Sequence, residues 1–174
     1  MSRQAHVTGR ERYFGDDDII VSKTDLKGRI LYANRLFMTL ADLDENDCLN
    51  EPHSLVRHPD MPRTVFHLLW DTIQHGREIF AFVKNRAANG DHYWVYAHVT
   101  PSMDNTGRMI GYHSTRRNPN RDILQNKVMP LYAKLLQVEN NAPDRKIGLQ
   151  RGVDMFNDIL KADGKAYDEF VLTL

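Results

Sequence analysis

The spacing of apolar residues changes several times along this chain, and each change predicts an element. Residues 19–21 and 30–32 are short apolar runs rich in β-branched side chains, separated by Asp25-Leu26-Lys27-Gly28, a turn-forming composition. They are expected to pair as a hairpin. Asn34 then occupies an N-cap position ahead of Leu36, Phe37 and Leu40, whose spacing makes an apolar helical stripe. Residues 42–51 are acidic and lack strong periodicity, which predicts loop and short turns with a helical turn around Cys48 and Leu49. From Pro62 onward Val65, Phe66, Leu69 and Ile73 recur at helical spacing, with Arg63, Asp71 and Gln74 on another face. Pro62 suits a first helical turn, Asp60 suits the positive end of the helix, and Gly76 is a stop.

Segments 78–86, 93–102 and 108–116 are rich in Val, Ile, Tyr, Phe and Trp, with breaks at Asn89-Gly90-Asp91 and Asn105-Thr106-Gly107. Three consecutive antiparallel strands are expected. A strand pair, short helices, one longer helix and a meander predict an α+β fold, a five-stranded antiparallel sheet with helices on one face. After Asn118-Pro119, the residues Ile123, Leu124, Val128, Leu131, Leu135 and Val138 follow helical spacing, and Pro130 is expected to kink or divide that helix. Residues 140–144 separate it from a second helix with Val153, Phe156, Ile159 and Leu160 on its apolar side and Gly164 at its end. The C-terminal extension therefore reads as a helical hairpin, and residues 167–172 are apolar enough to dock onto something. The organisation expected is an N-terminal segment (1–14), a principal domain (15–118) and a helical extension (119–174).

Composition narrows the function classes. The 174 residues carry 23 Lys and Arg against 23 Asp and Glu, so no global field draws the chain to nucleic acid or to an anionic membrane. Cys48 is the single cysteine, which excludes an internal disulfide and multi-cysteine metal sites and fits a reducing compartment. No apolar run approaches the roughly 20 residues of a membrane span. The N-terminus lacks the apolar core of a signal peptide. A cytoplasmic protein without membrane insertion is expected.

Two segments carry the chemistry. Residues 56–62 read VRHPDMP, and one helix length later residues 82–95 read FVKNRAANGDHYWV. Together they resemble the flavin-binding PAS domain of bacterial aerotaxis receptors over roughly residues 15–118. The resemblance implies the PAS fold and binding of flavin adenine dinucleotide (FAD), with Arg57, His58 and Asp60 associated with the flavin. It also implies a binding role for Asn85, because flavin-binding PAS relatives, light-oxygen-voltage domains included, carry an asparagine five residues before the hairpin glycine, here Gly90. The chain departs from the family pattern in the strand before Asn85. There the family has a flavin-associated tryptophan and a glycine, and this chain has Ile79, Phe80, Ala81 and Phe82.

The residues themselves admit bland readings beside these. Strand alternation puts Ile79, Ala81, Val83 and Asn85 on one face, and an amide there offers both a donor and an acceptor to a flavin pyrimidine edge. It also suits an edge-strand turn. Arg57 and His58 precede a helix start, where an anion can be neutralised, but Asp60 capping that helix and pairing with Arg57 explains the same residues structurally. Phe66, Trp70, Tyr93 and Trp94 can flank a planar ligand or be plain core. Asn34 completes the candidate set as a second amide. No His-Glu-x-x-His pattern occurs, so no metal catalyst is expected, while haem needs one axial histidine and His53, His58 and His67 are candidates for it. Cys48 lies outside the Asn-Cys-Arg context of photoreactive PAS domains, and no enzyme template is found.

The expectation is a cytoplasmic redox or oxygen sensor that binds FAD and turns over no substrate. The receptors implied by the resemblance couple their PAS domain to a membrane segment and a signalling domain. This chain is expected to signal through a separate protein or as a homodimer; the apolar faces of the helical hairpin with Phe170, Val171 and Leu174 are expected either to form that surface or to cover the module's own sheet. The alternatives are a haem-binding gas sensor on the same fold and a ligand-free PAS interaction module.

Overall fold

Strands β1 (Ile20–Asp25) and β2 (Ile30–Ala33) form the expected hairpin, and three short helical segments, α1 (Arg35–Ala41), α2 (Glu45–Cys48) and a 3-10 turn (His53–Val56), lead from it into α3 (Arg63–Gln74). The computed structural model describes residues 6–174. A meander follows, β3 (Ile79–Arg86), β4 (His92–Met103) and β5 (Met109–Arg117). All neighbours are antiparallel and the order is β2-β1-β5-β4-β3, so the first and last strands lie side by side and β3 is an edge.

The Asn34 side chain joins hairpin to helix. Its carboxamide oxygen accepts from the backbone of Phe37 (3.1 Å) and Val21 (3.0 Å), and its nitrogen donates to the carbonyl of Ile19 (2.8 Å). Residues 42–51 hold more helix than their weak periodicity predicts, because Asp47 turns back to accept from the backbone of Asp44 at 3.3 Å and starts α2.

The C-terminal extension begins with α4 (Arg121–Ile123), a π-helical turn (Leu124–Val128) and α5 (Met129–Asn140). Pro130 does not divide this run. The wide turn lets the Met129 amide reach the carbonyl of Leu124, and the proline then falls in the first turn of α5, where its missing donor is not required. Asp144 caps α6 (Arg145–Asp163), Gly164 ends it, and α7 (Tyr167–Leu172) closes the chain.

These helices seal the β3 edge, whose free carbonyls and amides would otherwise invite another strand. The Tyr132 hydroxyl donates to the carbonyl of Phe82 (2.6 Å), and that of Tyr167 to the carbonyl of Phe80 (2.8 Å). Ile20, Phe37, Met61 and Tyr93 share one buried cluster with Leu124, Leu135 and Val171, so sheet and extension have a common core. Phe170, Val171 and Leu174 are therefore engaged with the protein's own sheet and helices. Each buried aliphatic or aromatic side chain there contributes about 1.5–3 kcal/mol.

Candidate functional site

Strand alternation aims Val83 and Asn85 of β3, Ala97 and Val99 of β4, and Ser114 and Arg116 of β5 at α3. Between them and Phe66, Leu69, Trp70 and Ile73 of α3 lies a cavity of about 300 Å³. That is the lower end of the roughly 300–1,000 Å³ usual for small-ligand pockets. Its walls are largely apolar. Gly28 stands at its rim with φ +78°, and a Cβ there would come within 2.8 Å of the Trp70 ring, so only glycine fits both the turn and the close approach.

Four of the eight predicted site residues meet on this cavity: Arg57, Phe66, Trp70 and Asn85. Asn85 is 3% exposed, and its amide makes no hydrogen bond to any of the described residues. Its backbone bridges that of Arg57, which brings the two motifs together. The Arg57 guanidinium sits 4.2 Å over the Phe66 ring and pairs with no carboxylate among the described residues. Burial lowers its pKa, as do Arg145 and Arg63, against the pull of Glu139. Trp70 meets Tyr112 edge-on at 5.7 Å.

The other four lie elsewhere. Asn34 is fully engaged as the α1 cap. His58 is buried off the cavity; its Nδ1 accepts from the Asp60 amide at 3.1 Å, and its ring meets His92 edge-on at 5.7 Å. Burial first, then the Lys84 charge, hold its pKa down at about 4. Asp60 neither caps α3 nor pairs with Arg57. It is exposed and bound to Lys84 at 3.1 Å, while the α3 cap comes from Glu139. Tyr93 is wholly buried in the core, with its hydroxyl unpartnered among the described residues.

Sequence reasoning missed the cavity's most polar corner. Arg116, 5% exposed, donates from Nη2 to Ser22 Oγ (2.9 Å) and to His53 Nε2 (2.7 Å). Its Nη1 and Ser114 Oγ are buried without partners among the described residues. Alternation from Tyr112 through Ser114 to Arg116 was the available signal, obscured because a strand-end arginine ordinarily reaches solvent. His53 is the one of the three histidines considered for haem that lines the cavity. Its Nε2 lone pair is taken by Arg116, and burial, then the Arg116 charge, keep its pKa near 3.

Residues 3–116 match the family described as the PAS fold. The chain belongs to the PAS family. Over 135 residues it is 38% identical to the aerotaxis receptor of Escherichia coli (strain K12), an alignment covering 78% of this chain and 26% of the receptor. This PAS protein thus spans about a quarter of that relative's length. Among solved structures, a light-oxygen-voltage domain studied with a flavin analogue superposes with a TM-score of 0.57 at 14% identity, over 67% of this chain and 87% of that one. The dark-state light-oxygen-voltage domain of the blue-light photoreceptor Aureochrome1 gives 0.56 at 18%, over 71% and 99%. At such identities the likeness concerns the fold. No helix among the described residues is long and apolar enough to cross a membrane.

Proposed function

We propose that this PAS module binds FAD in the cavity and reports redox state or oxygen through protein contacts in the cytoplasm, in the manner of energy taxis, without turning over a substrate. The amide of Asn85 carries this reading: it stands on the cavity wall beside Arg57, without a hydrogen-bond partner among the described residues, in a chain related to an aerotaxis receptor. An amide that faces a cavity with no protein partner is free to bond a ligand there. The orphaned Arg116 Nη1 and Ser114 Oγ extend the same argument, since apolar walls with a few unpaired polar groups fit a planar heterocycle.

In this reading Asn85 offers a donor and an acceptor to the heterocycle edge, Arg57 holds an anionic part, and Phe66 and Trp70 form the wall. A bound flavin supplies reversible electron uptake, with a change of charge and protonation on its ring. The protein's part is to orient the ring, keep water from it and pass on a shift of the wall. Strand β3 carries Asn85 and is bonded at its edge to Tyr132 and Tyr167, while α3 carries Phe66 and Trp70 and is bonded at its start to Glu139. Both walls of the cavity therefore end on the C-terminal helices, where a signalling partner or a second copy would read the change.

A visible absorbance spectrum of the purified protein, before and after addition of FAD, tests the first step. Flavin bands that remain after gel filtration are expected. A colourless protein that takes up no FAD overturns the reading.

A further inference from the structure

Arg116 is a buried cation without a counter-ion among the described residues. No carboxylate among the described residues lies within 4.0 Å of it, and its two hydrogen-bonded neighbours, Ser22 and His53, are neutral groups acting as acceptors. Tyr93 and His113 are further ionisable neighbours: burial raises the Tyr93 pKa and keeps its phenol protonated, and burial, with Lys23, His98 and Arg116, lowers that of His113, so neither supplies a negative charge. Burial likewise lowers the Arg116 pKa, to about 10, which leaves it charged at neutral pH. The ring of Phe37, 5.6 Å from the guanidinium carbon, adds the face of an aromatic quadrupole and no charge.

A guanidinium has five N–H donors in a planar fork. Here the contacts through Nη2 fix the plane, and the two hydrogens of Nη1 stay unused. The residue lines the same cavity as Asn85 from two strands away, with Ser114 Oγ, also unpartnered, on the same face of β5. A fold that keeps a full charge out of water, holds it rigidly and leaves half of its fork open has the form of an anion receptor. A merely structural arginine would be expected to close its fork on carboxylates or carbonyls.

We propose that Arg116, braced by Ser22 and His53, is a subsite for a negatively charged atom on a planar heterocyclic ligand in the cavity. Resting on the flavin reading, this means that Arg116 favours the more negative, reduced form of the ligand over the oxidised form. Arg57 is distinct from it: that guanidinium lies on the Phe66 face beside Asn85, and is suited to a part of the ligand whose charge does not change.

The test compares wild type, Arg116→Gln and Arg116→Lys in two assays, with folding checked by circular dichroism. In the first, each protein is titrated with oxidised FAD and, under dithionite, with reduced FAD. The loss in Arg116→Gln is expected to be at least tenfold larger for the reduced form. Each tenfold difference lowers the two-electron midpoint potential of the bound ligand by about 30 mV, and Arg116→Lys retains most of the preference. Equal losses in the two states overturn the subsite and leave the flavin reading intact.

In the second assay benzoate and benzamide, alike in shape and different in charge, are compared as stabilisers of the protein without FAD. Benzoate is expected to raise the melting temperature of wild type and Arg116→Lys, with benzamide inert. If no FAD binds and benzoate still acts through Arg116, the flavin reading falls and the subsite stands. If benzoate and benzamide act alike on wild type, the subsite falls. Should Arg116→Gln not fold, Arg116→Lys and wild type decide by the same comparison: a wild type indifferent to charge in both assays overturns the proposal.

Discussion

Oε1 of Glu139, near the end of α5, accepts from both the backbone nitrogen and the hydroxyl of Thr64, each at 2.8 Å, and so caps α3 from a helix seventy-five residues away. Oε2 accepts from the backbone nitrogen and Nε of Arg63, and Arg63 Nη2 donates to the Glu139 carbonyl. A carboxylate thus sits at the positive end of α3 and a guanidinium at the negative end of α5, which suits both helix dipoles. Burial alone would raise the Glu139 pKa, but the bonds from Thr64 and Arg63 outweigh it and the net shift is downward.

Glu139→Ala leaves the first amides of α3 buried and unpaired, and is expected to cost about 2–3 kcal/mol in denaturant unfolding. Glu139→Gln keeps one acceptor but turns a donor toward Arg63, so a loss of about 1–2 kcal/mol is expected. The sign with pH follows from the lowered pKa. The contribution is present above the ordinary glutamate range and is lost as pH falls through the folded-state value. Equal stability of wild type and Glu139→Ala at pH 7 would show that the cap is not a stabilising element.

Gly152 on α6 meets the same clasp. A Cβ there would lie 2.1 Å from Thr64 Oγ1 and 3.3 Å from the Glu139 side chain. In an unconstrained helix, Gly→Ala stabilises by up to about 1 kcal/mol. Here overpacking reverses the sign, and Gly152→Ala is expected to destabilise by about 1–3 kcal/mol. A raised melting temperature in this variant would refute the close packing of α6 on α3.

The parts of this fold governed by local chemistry were legible in the sequence. The stripe from Val65 to Ile73, the Asn34 cap and the glycine turns between strands each depend on neighbours within a few positions. What escaped depends on partners far along the chain. Asp60 was the local choice to cap α3, and Glu139 displaced it because tertiary packing brings a second helix end to the same place. Pro130 promised a kink, yet a π-helical turn just before it absorbs the mismatch. Asn85 was placed on the cavity wall by strand alternation and by resemblance, whereas Arg116 is recognised only once Ser22 and His53, from other elements, are seen to close around it.

His53 and His58 are both held neutral, with pKa values of about 3 and about 4 against an ordinary 6.5. Between pH 6.5 and those values the unfolded chain binds more protons than the folded one, so stability falls as pH falls through this window. Each histidine adds a slope of about 1.4 kcal/mol per pH unit. His53→Gln keeps an acceptor for Arg116 and removes one proton, so its stability between pH 6.5 and 5 is expected to fall less steeply than that of wild type. Parallel curves for the two proteins would contradict a neutral His53.

The two asparagines first grouped as candidate ligands should part under substitution. The Asn34 amide is committed to Phe37, Val21 and Ile19, so Asn34→Ala removes a helix cap and is expected to cost about 1 kcal/mol of stability. Its FAD affinity should not change beyond that. Asn85 has no such commitment among the described residues, so Asn85→Ala should not lower the unfolding stability of the FAD-free protein. Its FAD affinity should fall tenfold or more, about 1.4 kcal/mol. Isothermal titration and urea unfolding of the same preparations separate the two effects. An Asn85→Ala protein that is unstable yet binds FAD as wild type does would move Asn85 from the ligand to the scaffold.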